Sequence, residues 1–211
     1  MANKKEETRK ANMRKAKERQ FEAETSKLFI YPLIAAGLLV LMLLLFFVPW
    51  ADIYNSDIGG AENGISGWNC FAAGISGNYT GTEGAIGDSM AVPFYYYAQS
   101  YCESIAPVTV AAFFITLLSL ALQAVAIFMK KPAMNVISVL VNLVVAVLVL
   151  VCFCIGLSMS GSQILPVFCN ANPACSIRSF AIIPALCAFG ATALSVIASV
   201  KLYKALTALN G

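Results

Sequence analysis

Apolar residues gather along this chain into four long runs, at residues 28–50, 107–129, 134–158 and 179–203, separated by polar segments. A hydrocarbon core of about 30 Å is crossed by roughly 20 helical residues, so each run is long enough to span a bilayer. None carries an ionisable side chain near its middle. Helices are expected rather than strands, because lipid offers no partner to unpaired backbone groups and the runs lack a barrel's alternation. The predicted fold class is therefore all-α membrane, a four-transmembrane-helix bundle. It leaves a charged N-terminal helix at 1–27, a first loop at 51–106, a turn at 130–133, a second loop at 159–178 and a tail at 204–211.

Composition strengthens this picture. Of 211 residues, 59% are hydrophobic and only 12% charged, with a mean hydropathy of +0.76. An ordinary soluble domain carries about twice that share of charge. The first run resembles the apolar stretch of a secretory signal, but it is long for one and no A-x-A site follows it, so a retained span is expected. The polar residues at depth are Thr116, Ser119, Gln123, Asn142 and Ser195. Gln123 and Asn142 are candidates for hydrogen bonds between helices or, alternatively, for pore lining. Ala191, Ser195 and Ser199 form a small-xxx-small row that permits close helix approach, and Pro184 is expected to kink the last span.

Charge adds an orientation. The net charge of +3 hides a segregation: Lys and Arg crowd the segment before the first span, the turn at Lys130 and Lys131, and the end at Lys201 and Lys204. The first loop has no basic residue and carries Asp52, Asp57, Glu62, Glu83, Asp88 and Glu103. By the excess of positive charge on cytoplasmic segments, both termini are expected in the cytoplasm and both loops outside a plasma membrane. The basic N-terminal segment can also attract anionic lipid, though its apolar stripe is thin and a solvated helix is the expected form.

The outer loops should hold whatever recognition the protein performs. The first is rich in Gly, Ser and Asn and contains Gly-Ile-Ser-Gly twice, at 64–67 and 74–77. Short strands joined by tight turns are expected there. Cys70 and Cys102 in the first loop and Cys169 and Cys175 in the second are disulfide candidates on an oxidising face, and four cysteines allow three pairings. The predicted cap is thus small, β-containing and disulfide-stapled. Cys152, Cys154 and Cys187 lie in apolar runs and read as packing residues. Asn78-Tyr79-Thr80 is a glycosylation sequon. Phe94, Tyr95, Tyr96, Tyr97 and Tyr101, with Trp50 and Trp68, are candidate partner contacts, since aromatic side chains bring large contact area at low entropic cost. An interfacial aromatic belt is the alternative for the tyrosines.

The chain has no histidine, which removes the commonest general base and metal ligand. No nucleophile with a base, metal cluster or buried carboxylate pair can be assembled. No enzyme activity, cofactor, metal or nucleic-acid partner is expected.

Trp50 at the start of the loop, then Gly67-Trp68-Asn69-Cys70 and later Cys102, make the chain similar to claudin-like tetraspan proteins, whose first loop carries a tryptophan, a Gly-Leu-Trp and two cysteines over a small antiparallel sheet. Here the leucine is missing and Cys102 lies far downstream. Cys169 and Cys175 are more like the second loop of connexins and pannexins. The resemblance implies the topology, and neither paracellular ion selectivity nor channel function is carried over from it. The expected function is protein–protein interaction through the outer cap, with other membrane proteins or further copies of this chain; the alternative is an oligomeric ion or large-pore channel.

Overall fold

The computed structural model describes residues 26–55, 60–77, 91–129, 132–159 and 173–210, with scattered helical positions between 12 and 23. Four helical stretches are long and apolar enough to cross a membrane: Ser26–Leu45, Tyr101–Phe128, Met134–Ser158 and Ile183–Thr207. They belong to α1 (Ile30–Leu45), α3 (Ala91–Met129), α4 (Pro132–Met159) and α5 (Ile183–Asn210). A shorter helix, α2 (Gly67–Ser76), and three strands, β1 (Pro49–Asn55), β2 (Gly60–Ser66) and β3 (Pro173–Ile177), lie at the loop end.

The first span ends earlier than its apolar run. Proline cannot donate to a helix and disfavours helical backbone in the residue before it, so Pro49 closes α1 and Trp50 already lies in β1. The last turn tightens, with the amides of Phe46, Phe47 and Val48 bonding three residues back to Leu43, Leu44 and Leu45. Carbonyls orphaned at this helix end find donors from beyond it. The Trp50 indole N–H donates to Leu45 at 3.0 Å, and the Trp68 amide donates to Phe46 at 2.8 Å.

The spans form a four-sided bundle in which α1 packs on α5 and α3, and α4 packs between α3 and α5. Small residues let the axes approach. Ala188 and Ala191 on α5 are fully buried, as are Ala35, Leu39 and Met42 on α1. Leu, Val and Phe side chains on the outward faces, among them Leu33, Leu44, Leu118 and Leu140, are exposed and face the hydrocarbon of a bilayer. Pro184 does not kink α5: it stands in the first helical turn, after a short 3-10 segment at Ser179–Ile182, where its missing N–H costs nothing.

The loops co-fold. The sheet order is β2-β1-β3, both pairings being antiparallel, with Ala51 opposite Ile65 of the first loop and Ile177 of the second. The Arg178 amide extends the ladder to the Trp50 carbonyl at 2.9 Å. Much of the first loop is nevertheless helical rather than strand. α3 begins at Ala91, well before the predicted start of the second span, and Pro107 lies inside it. The two Gly-Ile-Ser-Gly copies do not pair with each other: the first ends β2 and leads into α2, and the second closes that helix. Ser66 of the first copy caps the N-terminus of α2, and Gly77 of the second closes its C-terminus at φ +71°, where glycine is favoured.

Candidate functional site

The loop end is built around Trp50 and α2. The capping box that starts α2 is reciprocal: the Asn69 amide donates to Ser66 Oγ at 3.2 Å, and the Ser66 amide donates to Asn69 Oδ1 at 3.0 Å. Gly67, Cys70 and Ala73 then form a buried face of small residues. These residues permit close packing: a Cβ on Gly67 would stand 2.5 Å from the Trp50 ring, and one on Gly74 would stand 2.7 Å from Val110 Cγ2. Trp50 is a core residue, 6% exposed and edge-on to Phe46 with ring centroids 5.0 Å apart. Its burial removes it from the candidate partner contacts.

Close approach brings Cys70 of α2 to Cys102 at the start of the second span, with Sγ atoms 3.3 Å apart and both residues buried. Both are free thiols, and among the described residues no disulfide is formed. The expected stapling of the cap is to that extent corrected; a disulfide needs its sulfurs about 2.05 Å apart. The contact with Cys102, followed by burial, holds the Cys70 thiol well above its ordinary pKa. Cys175 lies in β3 opposite Ile53, whereas Cys169 and Asn78 lie outside the described residues. Tyr101 is buried. The backbone of Phe94, Tyr95, Tyr96 and Tyr97 belongs to the first turns of α3, and their side chains lie outside the described set.

Of the outer face of α2 the sequence marked only Trp68, not the helix or its aromatic stack. Trp68 stacks on Phe47 and Phe71, with centroids 5.0 and 5.1 Å apart. Phe71 continues the stack to Phe113 at 4.5 Å. The signals that mark this helix are Ser66 with Asn69 as a cap, the ten-residue recurrence ending in Gly77, and the small residues 67, 70 and 73.

Deeper in the bundle, Ser195 of α5 accepts from Gln123 Nε2 of α3 at 3.0 Å and from Asn142 Nδ2 of α4 at 2.9 Å. Ser119 donates to Asn142 Oδ1, and the Ser195 hydroxyl donates a hydrogen bond to the Ala191 carbonyl at 2.9 Å. All four side chains are buried. Three spans are thus joined at one polar node, with Gln123 and Asn142 engaged inside a single chain. Beyond this node, towards the lysine-bearing end, a cavity of about 20 Å³ is lined by residues from all four spans, Pro32, Ala126, Asn135 and Ala198 among them. At the same end Lys201 donates to the Tyr31 hydroxyl at 2.5 Å and stands 4.5 Å from its ring centroid, which links the first and last spans.

The described residues contain no group of three or more His, Cys, Asp or Glu side chains able to hold a metal ion. Comparison with protein-family models, characterised proteins and solved structures finds no match. What the structure shares with the claudin-like plan is its four membrane-length helices.

Proposed function

We propose that this protein is a non-enzymatic four-span membrane protein that acts by protein–protein contact through its loop-side cap, as an adhesive protein of claudin-like plan or an accessory subunit of a larger membrane complex. The observation that carries this reading is the central position of β1, which takes one strand from each loop and makes a single platform of them. A platform held by all four spans is a preorganised binding surface, and preorganisation lowers the entropic cost of association. The contact surface is the sheet together with the extension of α3 that carries Phe94, Tyr95, Tyr96 and Tyr97. At 39 residues and 1.5 Å per residue, α3 is about 58 Å long and reaches well past the hydrocarbon.

Lys and Arg at the opposite end support a reading with that end in the cytoplasm and the cap outside a plasma membrane. The channel alternative has less support, because Gln123 and Asn142 spend their hydrogen bonds within one bundle.

The test is mild extraction of the wild-type chain and of Tyr95→Ala/Tyr97→Ala from the native membrane, followed by mass and composition analysis of the complex. A partner or second copy that the double variant loses, at unchanged melting temperature, supports the reading. Equal association by both proteins removes this surface, and a conducting ring of identical subunits replaces the reading with the channel.

A further inference from the structure

We propose that α2 is seated in the loop-side leaflet of the membrane, and that its Trp68–Ile75 face is a lipid-binding surface for the glycerol and upper acyl region of phospholipids.

The argument starts from the composition of the helix. Its ten residues include no charged side chain. Trp68 and Ile75 lie seven residues apart, two turns along one face, and are 39% and 59% exposed. A helix entering a low-dielectric layer must settle its own polar groups. Here Ser66 and Asn69 satisfy each other, the Trp68 and Gly77 amides reach the carbonyls of Phe46 and Ala73, and Ser76 Oγ donates to Ala72 at 2.8 Å.

Depth follows from the packing. Twenty residues counted back from the end of the span at Phe128 reach Thr109, about the thickness of the hydrocarbon core. Phe113 and Phe114 then lie about one turn inside that core, and Val110, on which Gly74 packs, lies at its edge. Phe71 touches both phenylalanines, with centroids 4.5 and 6.1 Å away. The exposed apolar surface consequently runs without a polar break from Leu118 and Phe114 on the lipid-facing side of the second span, over Phe71 and Trp68, to Phe47 on the first. Phe47 and Phe114 are 57% and 53% exposed, and Phe71 between Trp68 and Phe114 is half-buried. The continuity of this belt with the lipid-facing surface of the spans selects lipid as the occupant. Tryptophan is enriched at that depth, where the ring meets acyl chain and its N–H meets water or headgroup.

Trp68 provides its own probe, since the second tryptophan, Trp50, is buried. Wild type and Trp68→Phe are reconstituted in phosphatidylcholine vesicles, with bromine either just below the headgroup or near the chain ends, and titrated with iodide from the water. The expected result is strong quenching of wild type by shallow bromine, weaker quenching by deep bromine, loss of that component in Trp68→Phe, and little effect of iodide. A Trp68 component quenched by iodide and not by bromine would place the face in water and overturn the proposal. A component quenched by neither would mean that protein covers it, with the same consequence. Should Trp68→Phe fail to fold, Ile75→Trp reads the same face: a gain in bromine-quenched emission supports the proposal, and a gain in iodide-quenched emission overturns it.

Discussion

Gly67 lies directly beneath the indole of Trp50, so close that an added methyl group would stand 2.5 Å from its ring carbons. Trp50 cannot swing aside freely, because its N–H is held by the Leu45 carbonyl at the end of the first span. Gly67→Ala should therefore destabilise the folded protein by about 1–3 kcal/mol, the usual cost of overpacking. Gly37→Ala, where the new methyl group meets nothing within 4 Å, should be neutral or slightly stabilising, since alanine is the better helix former. Thermal unfolding of both variants in the same detergent tests the contrast, and equal shifts would refute it.

Ser195 is the shared acceptor of two amide side chains. Ser195→Ala should leave both amides short of a partner and cost more than Ser199→Ala, whose hydroxyl bonds only to the Ser195 carbonyl. Interhelical hydrogen bonds in membranes are worth about 0.6–2 kcal/mol each. In double-mutant cycles, Ser195→Ala and Gln123→Leu should be non-additive; simple additivity would mean that the node contributes no coupling.

Stability should depend on pH through Cys70 while its thiol is reduced. The folded pKa is raised, so this thiol's contribution is fully present below the unfolded value of about 8.5 and is lost as pH rises towards the folded value. The melting temperature of reduced protein should fall as pH rises above about 8.5. Oxidation to a Cys70–Cys102 bridge should raise the melting temperature and remove that component of the pH dependence. A Cys70→Ala variant with the same alkaline profile as reduced wild type would count against the assignment.

The ends of α2 are held by local chemistry, and each can be cut separately. Ser66→Ala removes a cap worth about 1 kcal/mol. Gly77→Ala forces a left-handed conformation that costs an L-residue roughly 1–2 kcal/mol. Hydrogen exchange should show faster opening of α2 in both variants with little change in the spans. Unchanged protection of α2 would mean that packing alone holds it.

The spans were legible because lipid imposes one requirement on every residue of a run, and a run of 25 residues at 134–158 expresses it without help from the rest of the chain. Their ends were less so. Pro49 and Pro184 act by removing a donor, and apolar content does not register that loss. α2 escaped because glycine and serine, which argue for turns, here serve as caps and close contacts. The partner of Gln123 and Asn142 was unreadable for a different reason: Ser195 becomes their acceptor only once three helix faces have chosen one another.

The place of β1 between its two neighbours bears on how the chain is made. β1 and β2 emerge early in synthesis, but β3 follows only after the second and third spans, so one edge of β1 stays open through most of translation. An open edge invites pairing with other chains. A chain that stops before β3 therefore leaves the second edge of β1 open, and a chain that includes β3 turns β1 from an edge strand into the central one.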